Sequence, residues 1–74
     1  MRLKDIREDL DITQQQLADY LHIRQNTLSQ YENGQRSLPI DALEKLADYF
    51  NTSTDYILGR TDERRPYPKR KAHG

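Results

Sequence analysis

Between residues 25 and 30 the chain carries Gln25, Asn26, Thr27, Ser29 and Gln30 around a single apolar Leu28. All five are uncharged hydrogen-bonding side chains. A primary amide offers a donor and an acceptor side by side. That pair matches the N6 and N7 edge of adenine in a DNA major groove, and the hydroxyls of Thr27 and Ser29, or a methyl, can meet other base edges. Such groups can read bases only if a helix holds them on one face. Leu28 and Tyr31, three residues apart, supply an apolar side for that helix and leave the amides outward.

The elements around this run can position it. Gln14 to Gly34, QQQLADYLHIRQNTLSQYENG, reads as two short amphipathic helices joined by a tight turn. The first, about 14–21, turns Leu17, Ala18 and Leu21 inward. Thr13 is its expected N-cap, Gln16 completes a capping box, and Ile12 is placed as a hydrophobic staple. His22 centres the turn and Ile23 plugs it. Positive φ suits Gly there, and His tolerates it better than most residues. A catalytic or metal-binding His22 would need partners, and the only other histidine is His73. The second helix, about 24–32, ends at Asn33-Gly34. A helix-turn-helix carries its base-reading residues in this place.

Three further helices are predicted. Leu3, Ile6 and Leu10 mark one over about 2–10, stopped by Asp11. After the loop 35–39, with Leu38 inward and Pro39 presetting φ, Ile40, Leu43, Leu46, Ala47 and Phe50 mark a helix over about 40–50. Asn51 closes it. Ser53 or Thr54 caps a short fifth helix carrying Tyr56, Ile57 and Leu58, stopped by Gly59. The expected fold is all-α.

Composition sets limits. A chain of 74 residues with 34% apolar content has room for one small core. The reading is one domain over 1–59 and a basic tail over 60–74. The N-terminal stretch has no continuous apolar run, so neither a signal peptide nor a membrane span is expected there. With no cysteine, disulfides and thiolate metal sites are excluded, which suits a reducing cytoplasm. Residues 1–59 hold six Lys and Arg against ten Asp and Glu, a balance of −4. Residues 60–74 hold six against two, a balance of +4. The tail, broken by Pro66 and Pro68, reads as extended and mobile, either a solubilising terminus or an arm for phosphates. The sequence offers an enzyme little: there is no paired His and no glycine-rich phosphate loop, and Glu8 and Asp9 are adjacent on a helix and point apart.

Taken in order, TQQQLADYL, the apolar set Leu17, Leu21, Ile23, Leu28 and Tyr31, the small Ala18, YENG, the following Pro39 and DYILGRTD resemble the Cro/C1-type helix-turn-helix family, also called Xre. That family includes the lambdoid phage repressors. The resemblance covers about residues 2–59. It implies a compact five-helix lambda-repressor-like domain and a sequence-specific regulator of transcription, a repressor in most members. Helix two would lie across the phosphates, helix three would enter the major groove, and an ion pair between Arg7 and Glu32 would fix helix one. Gln25, Asn26, Thr27, Ser29 and Gln30 are the expected base readers. Gln14, Arg24, Asn33, Gln35, Arg36 and Ser37 are the expected phosphate contacts. Two positions depart from the pattern: His22 stands where Gly is usual, and Arg24 where Ser or Thr is common.

The implied partner is double-stranded DNA with a pseudo-palindromic operator, bound by a homodimer with contacts around Tyr56, Ile57 and Leu58. No cofactor, metal, membrane or small-molecule ligand is expected, and the implied location is the cytoplasm, with the nucleoid. Two alternatives stay open. One is an antitoxin that also binds its own operator. The other is a protein-interaction module without DNA binding, suggested by the acidic body.

Overall fold

Short-range capping signals and apolar stripes lay out five helices among the described residues, in chain order: α1 (Leu3–Asp9), α2 (Gln14–Leu21), α3 (Gln25–Glu32), α4 (Ile40–Phe50) and α5 (Thr54–Leu58). A computed structural model describes residues 1–66, and it shows no strand among them. α1 is one residue shorter at each end than the periodicity predicts, and α3 begins one residue later.

Each helix sends one side chain where water does not reach: Leu3, Leu17, Leu28, Leu46 and Ile57 are all 0% exposed. Ala18 is equally buried, at the packed α2–α3 pair, where a larger side chain would wedge the helices apart. Ile12, Ile23 and Leu38 pack against this core from the connecting loops. The α2 capping box forms as expected. The Gln16 main-chain N–H donates to Thr13 Oγ1 at 3.0 Å, and the Thr13 N–H donates to Gln16 Oε1 at 2.9 Å. One expectation fails: Ile40 is 75% exposed. It opens α4, and the apolar contact at that end comes from Leu38 and Ala42 instead.

All five helices end through one residue with positive φ. These are Asp11, His22, Gly34, Asn51 and Gly59. Each time, that residue's N–H and the N–H of the residue after it close back onto the last turn, as His22 does to Asp19 and Ile23 to Ala18. This satisfies carbonyls that the helix leaves open. Three of these positions are not glycine and carry strain. A left-handed L-residue costs about 1–2 kcal/mol. Glycine's greater unfolded-state freedom offsets about 0.4–1 kcal/mol of any gain. His22→Gly is therefore expected to stabilise the free protein by about 0.5–1 kcal/mol. Thermal unfolding followed by circular dichroism should show a midpoint raised by about 2–8 °C.

Candidate nucleic-acid interface

α3 is eight residues long and has two unlike faces. At about 100° per residue, Leu28 and Tyr31 point one way and Gln25, Asn26, Ser29, Gln30 and Asn33 point the other. Leu28 and Tyr31 are buried. Gln25, Asn26 and Asn33 are exposed, and Ser29 and Gln30 are half-exposed. Thr27 is half-buried at the margin of this face. The run predicted to read bases is thus one continuous outer surface, about 12 Å long. A major groove is about 12 Å wide.

The flanks are less uniform. Arg24 precedes α3 with extended backbone and makes no side-chain cap, so its charge is exposed. Gln35, Arg36 and Ser37 are exposed in the loop beyond α3. Asn33 is tied weakly to Ser29, Nδ2 to Oγ at 3.4 Å. At the other end, Gln14 and Gln15 occupy the first positions of α2, where main-chain N–H groups have no intrahelical acceptor and the helix dipole favours an anion.

Gln14 does not stand free as a phosphate clamp, as the sequence suggested. It belongs to a hydrogen-bond chain joining three helices. Arg7 of α1 donates through Nε to Glu32 Oε2 at 2.7 Å and through Nη2 to Oε1 at 3.2 Å. Its Nη1 also holds the Ile12 carbonyl, at 2.9 Å. Glu32 Oε1 accepts from Gln14 Nε2 at 2.9 Å. Gln14 Oε1 accepts in turn from Gln25 Nε2 at 3.3 Å. One N–H of Gln25 is thereby directed at the scaffold, leaving its second N–H and its carbonyl oxygen for a ligand. No spacing rule links residue 14 to residue 25. Only the packing of α2 on α3 brings them together.

Arg7–Glu32 is a buried fork, with side chains 10% and 1% exposed. It bears on the electrostatics of the face. Glu32 is the only acid between residues 20 and 40, and Arg7 covers and neutralises it. The surface from Arg24 to Ser37 is left polar with two cations, although the body is acidic.

Two expectations about the C-terminal end need correction. Ile57 is 0% exposed, so it seals the core and cannot touch a second copy. The Tyr56 ring lies under the Arg2 guanidinium, 4.4 Å from the ring centre. Leu58, 37% exposed, and the half-exposed Tyr56 remain accessible. Residues 60–66 are also tied to the body rather than detached. Arg2 donates to the Thr61 carbonyl (2.7 Å) and to Asp62 Oδ1 (2.6 Å), and the Thr52 hydroxyl donates to the Arg64 carbonyl. Arg65 folds onto Glu63 and holds that carboxyl below its ordinary range. The tail residues Tyr67–Gly74 lie outside the described residues.

Comparison with known proteins agrees with this geometry. The helix-turn-helix family matches over residues 3–57. The chain is 43% identical over 61 residues to the HTH-type transcriptional regulator ImmR of Bacillus subtilis, covering 82% of this chain and 48% of that protein. It is 37% identical over 68 residues to the regulator AnsR of the same organism, covering 92% and 59%. It is 35% identical over 57 residues to the antitoxin PezA of Streptococcus pneumoniae, covering 77% and 36%. The chain thus spans about half to three fifths of the length of the two regulators. No solved structure gives a significant match. Among the described residues no helix is long and apolar enough to cross a membrane, and no cluster of side chains could hold a metal ion. With its ordered motifs, its α2–α3 pair and its match over residues 3–57, the chain belongs to the Cro/C1-type helix-turn-helix family.

Proposed function

We propose that the chain is a sequence-specific double-stranded DNA-binding regulator of transcription, acting as a repressor on a pseudo-palindromic operator. The outer face of α3 carries this reading. It is uncharged, rich in amides, and lies in a segment whose single acid is buried and neutralised. α3 enters the major groove with Gln25, Asn26 and Gln30 as the main base readers, Ser29 beside them and Thr27 at the margin. Arg24, Arg36, Gln35, Ser37 and Asn33 meet phosphates, joined by the main-chain N–H groups of Gln14 and Gln15. One domain covers few base pairs, so two copies bind half-sites about one helical turn apart.

The test is selection of bound duplexes from a random pool. The expected product is a two-fold symmetric sequence with half-site centres about 34–36 Å apart. Enrichment of no sequence at low or moderate salt would leave a protein-interaction module as the better reading. The likeness to PezA supports a second reading, an antitoxin that binds its own operator. Co-purification with a small toxin encoded beside it would establish that reading.

A further inference from the structure

Glu32 is the acceptor-only group in the hydrogen-bond chain that ends at Gln25, and it sets the direction of every bond after it. Its carboxylate holds Arg7 through both oxygens, at 2.7 and 3.2 Å, and has no proton to give. The Gln14 amide must therefore turn its NH2 side to Glu32, and Nε2 donates to Oε1 at 2.9 Å. The other side of that amide is then an oxygen. Gln25 can meet it only with its own NH2, as its Nε2 does at 3.3 Å. A primary amide turned over about its last bond keeps nearly the same shape, so packing alone does not distinguish the two orientations of Gln25. The buried carboxylate does.

We propose that Glu32 is a positioning residue for base recognition: through Gln14 it fixes which side of the Gln25 amide donates, and so selects adenine on the strand whose phosphates α2 contacts. This rests on the DNA-binding reading above. The remaining N–H of Gln25 lies on the Gln14 side, and its carbonyl oxygen lies away from it. That order needs an acceptor near the strand under α2 and a donor farther into the groove. Adenine on that strand presents N7 and then N6–H2 in this order. Guanine presents two acceptors, cytosine a single donor, and thymine puts its methyl group first. The amide turned over would match the same pair reversed, T·A, with adenine on the other strand.

The test is the ratio of affinities for two selected operators that differ only in the direction of one base pair, the pair whose preference Gln25→Ala abolishes. The parent protein should favour A·T over T·A by about 5- to 140-fold, the range for one bidentate contact. Gln14→Lys leaves the Arg7–Glu32 fork in place and puts a group there that only donates. Gln25 must then turn its oxygen inward. The added charge meets phosphate equally in both duplexes and cancels in the ratio. Arg7→Met with Glu32→Leu removes the carboxylate without leaving a lone buried charge, and frees both amides to turn. The ratio should fall below about threefold in both variants, with Gln14→Lys the lower. A larger ratio in either, or a parent protein that prefers another base at this pair, overturns the proposal.

Hydrogen exchange in the free protein decides the orientation without DNA. The side-chain NH2 protons of Gln14 should exchange more slowly than those of exposed Gln35, and at the Gln35 rate in Arg7→Met with Glu32→Leu. Equal rates in the parent protein overturn the fixed orientation. If no duplex is selected, or Gln25→Ala keeps every base preference of the parent, base reading through Gln25 fails and the adenine assignment with it, while the exchange rates still decide the orientation.

Discussion

Arg7→Ala is expected to cost about 3–5 kcal/mol of folding stability, the range for breaking a buried ion pair from one side. The Glu32 side chain, 1% exposed, would keep only the Gln14 amide as a partner. The Ile12 carbonyl would lose its guanidinium donor as well. A domain of this length has about 4–11 kcal/mol in total, so the variant lies close to the edge of folding. Glu32→Ala should cost less, because Arg7 keeps the Ile12 carbonyl and more contact with water. Replacing both, as Arg7→Met with Glu32→Leu, should recover much of the loss, since no buried charge is then left alone. Urea unfolding of the four proteins gives the three costs directly, as midpoints shifted at constant slope. A cost below about 1 kcal/mol for Arg7→Ala would show a solvated pair of no consequence.

That pair also marks the boundary of what the sequence could disclose. The turns, caps and helix limits were legible because their causes are local. Thr13 and Gln16 are three residues apart, and Asp11, His22 and Asn51 belong to the residue types that tolerate positive φ. The outer face of α3 was legible for the same reason, since helical phase alone separates Gln25 and Gln30 from Leu28. Arg7 and Glu32 came from the resemblance rather than from spacing. The bonds from Glu32 to Gln14 and from Gln14 to Gln25 were not legible, because they depend on how one helix packs on another. The same holds for Ile40 and Ile57. Both are apolar at helical spacing, yet one is exposed and the other sealed, because exposure depends on where the body ends. The Arg2 contacts to Tyr56, Thr61 and Asp62 join residues more than fifty apart, beyond any periodic signal.

The hydrogen-bond chain ending at Gln25 leads to the second large effect. Gln25→Ala with Gln30→Ala should reduce binding of a selected operator to the level of random duplex. A bidentate amide–adenine contact discriminates by about 1–3 kcal/mol, and a dimer loses four of them. The sum is comparable to a whole specificity ratio of about 10³–10⁷. Binding to random duplex should hardly change, because neither side chain carries charge and phosphate contacts dominate that term. Stability should hardly change either, since Gln25 is exposed and Gln30 half-exposed. Gln14→Ala separates reading from orienting. It leaves both readers in place but removes the acceptor that fixes the Gln25 amide. It should weaken operator binding by about tenfold, in proportion to the freedom that Gln25 regains. Titration of selected and random duplexes against the three proteins resolves these contributions. If the double variant still prefers the selected operator, α3 does not read DNA through this face. If Gln14→Ala matches the parent protein, the Gln14–Gln25 bond holds nothing that the operator needs.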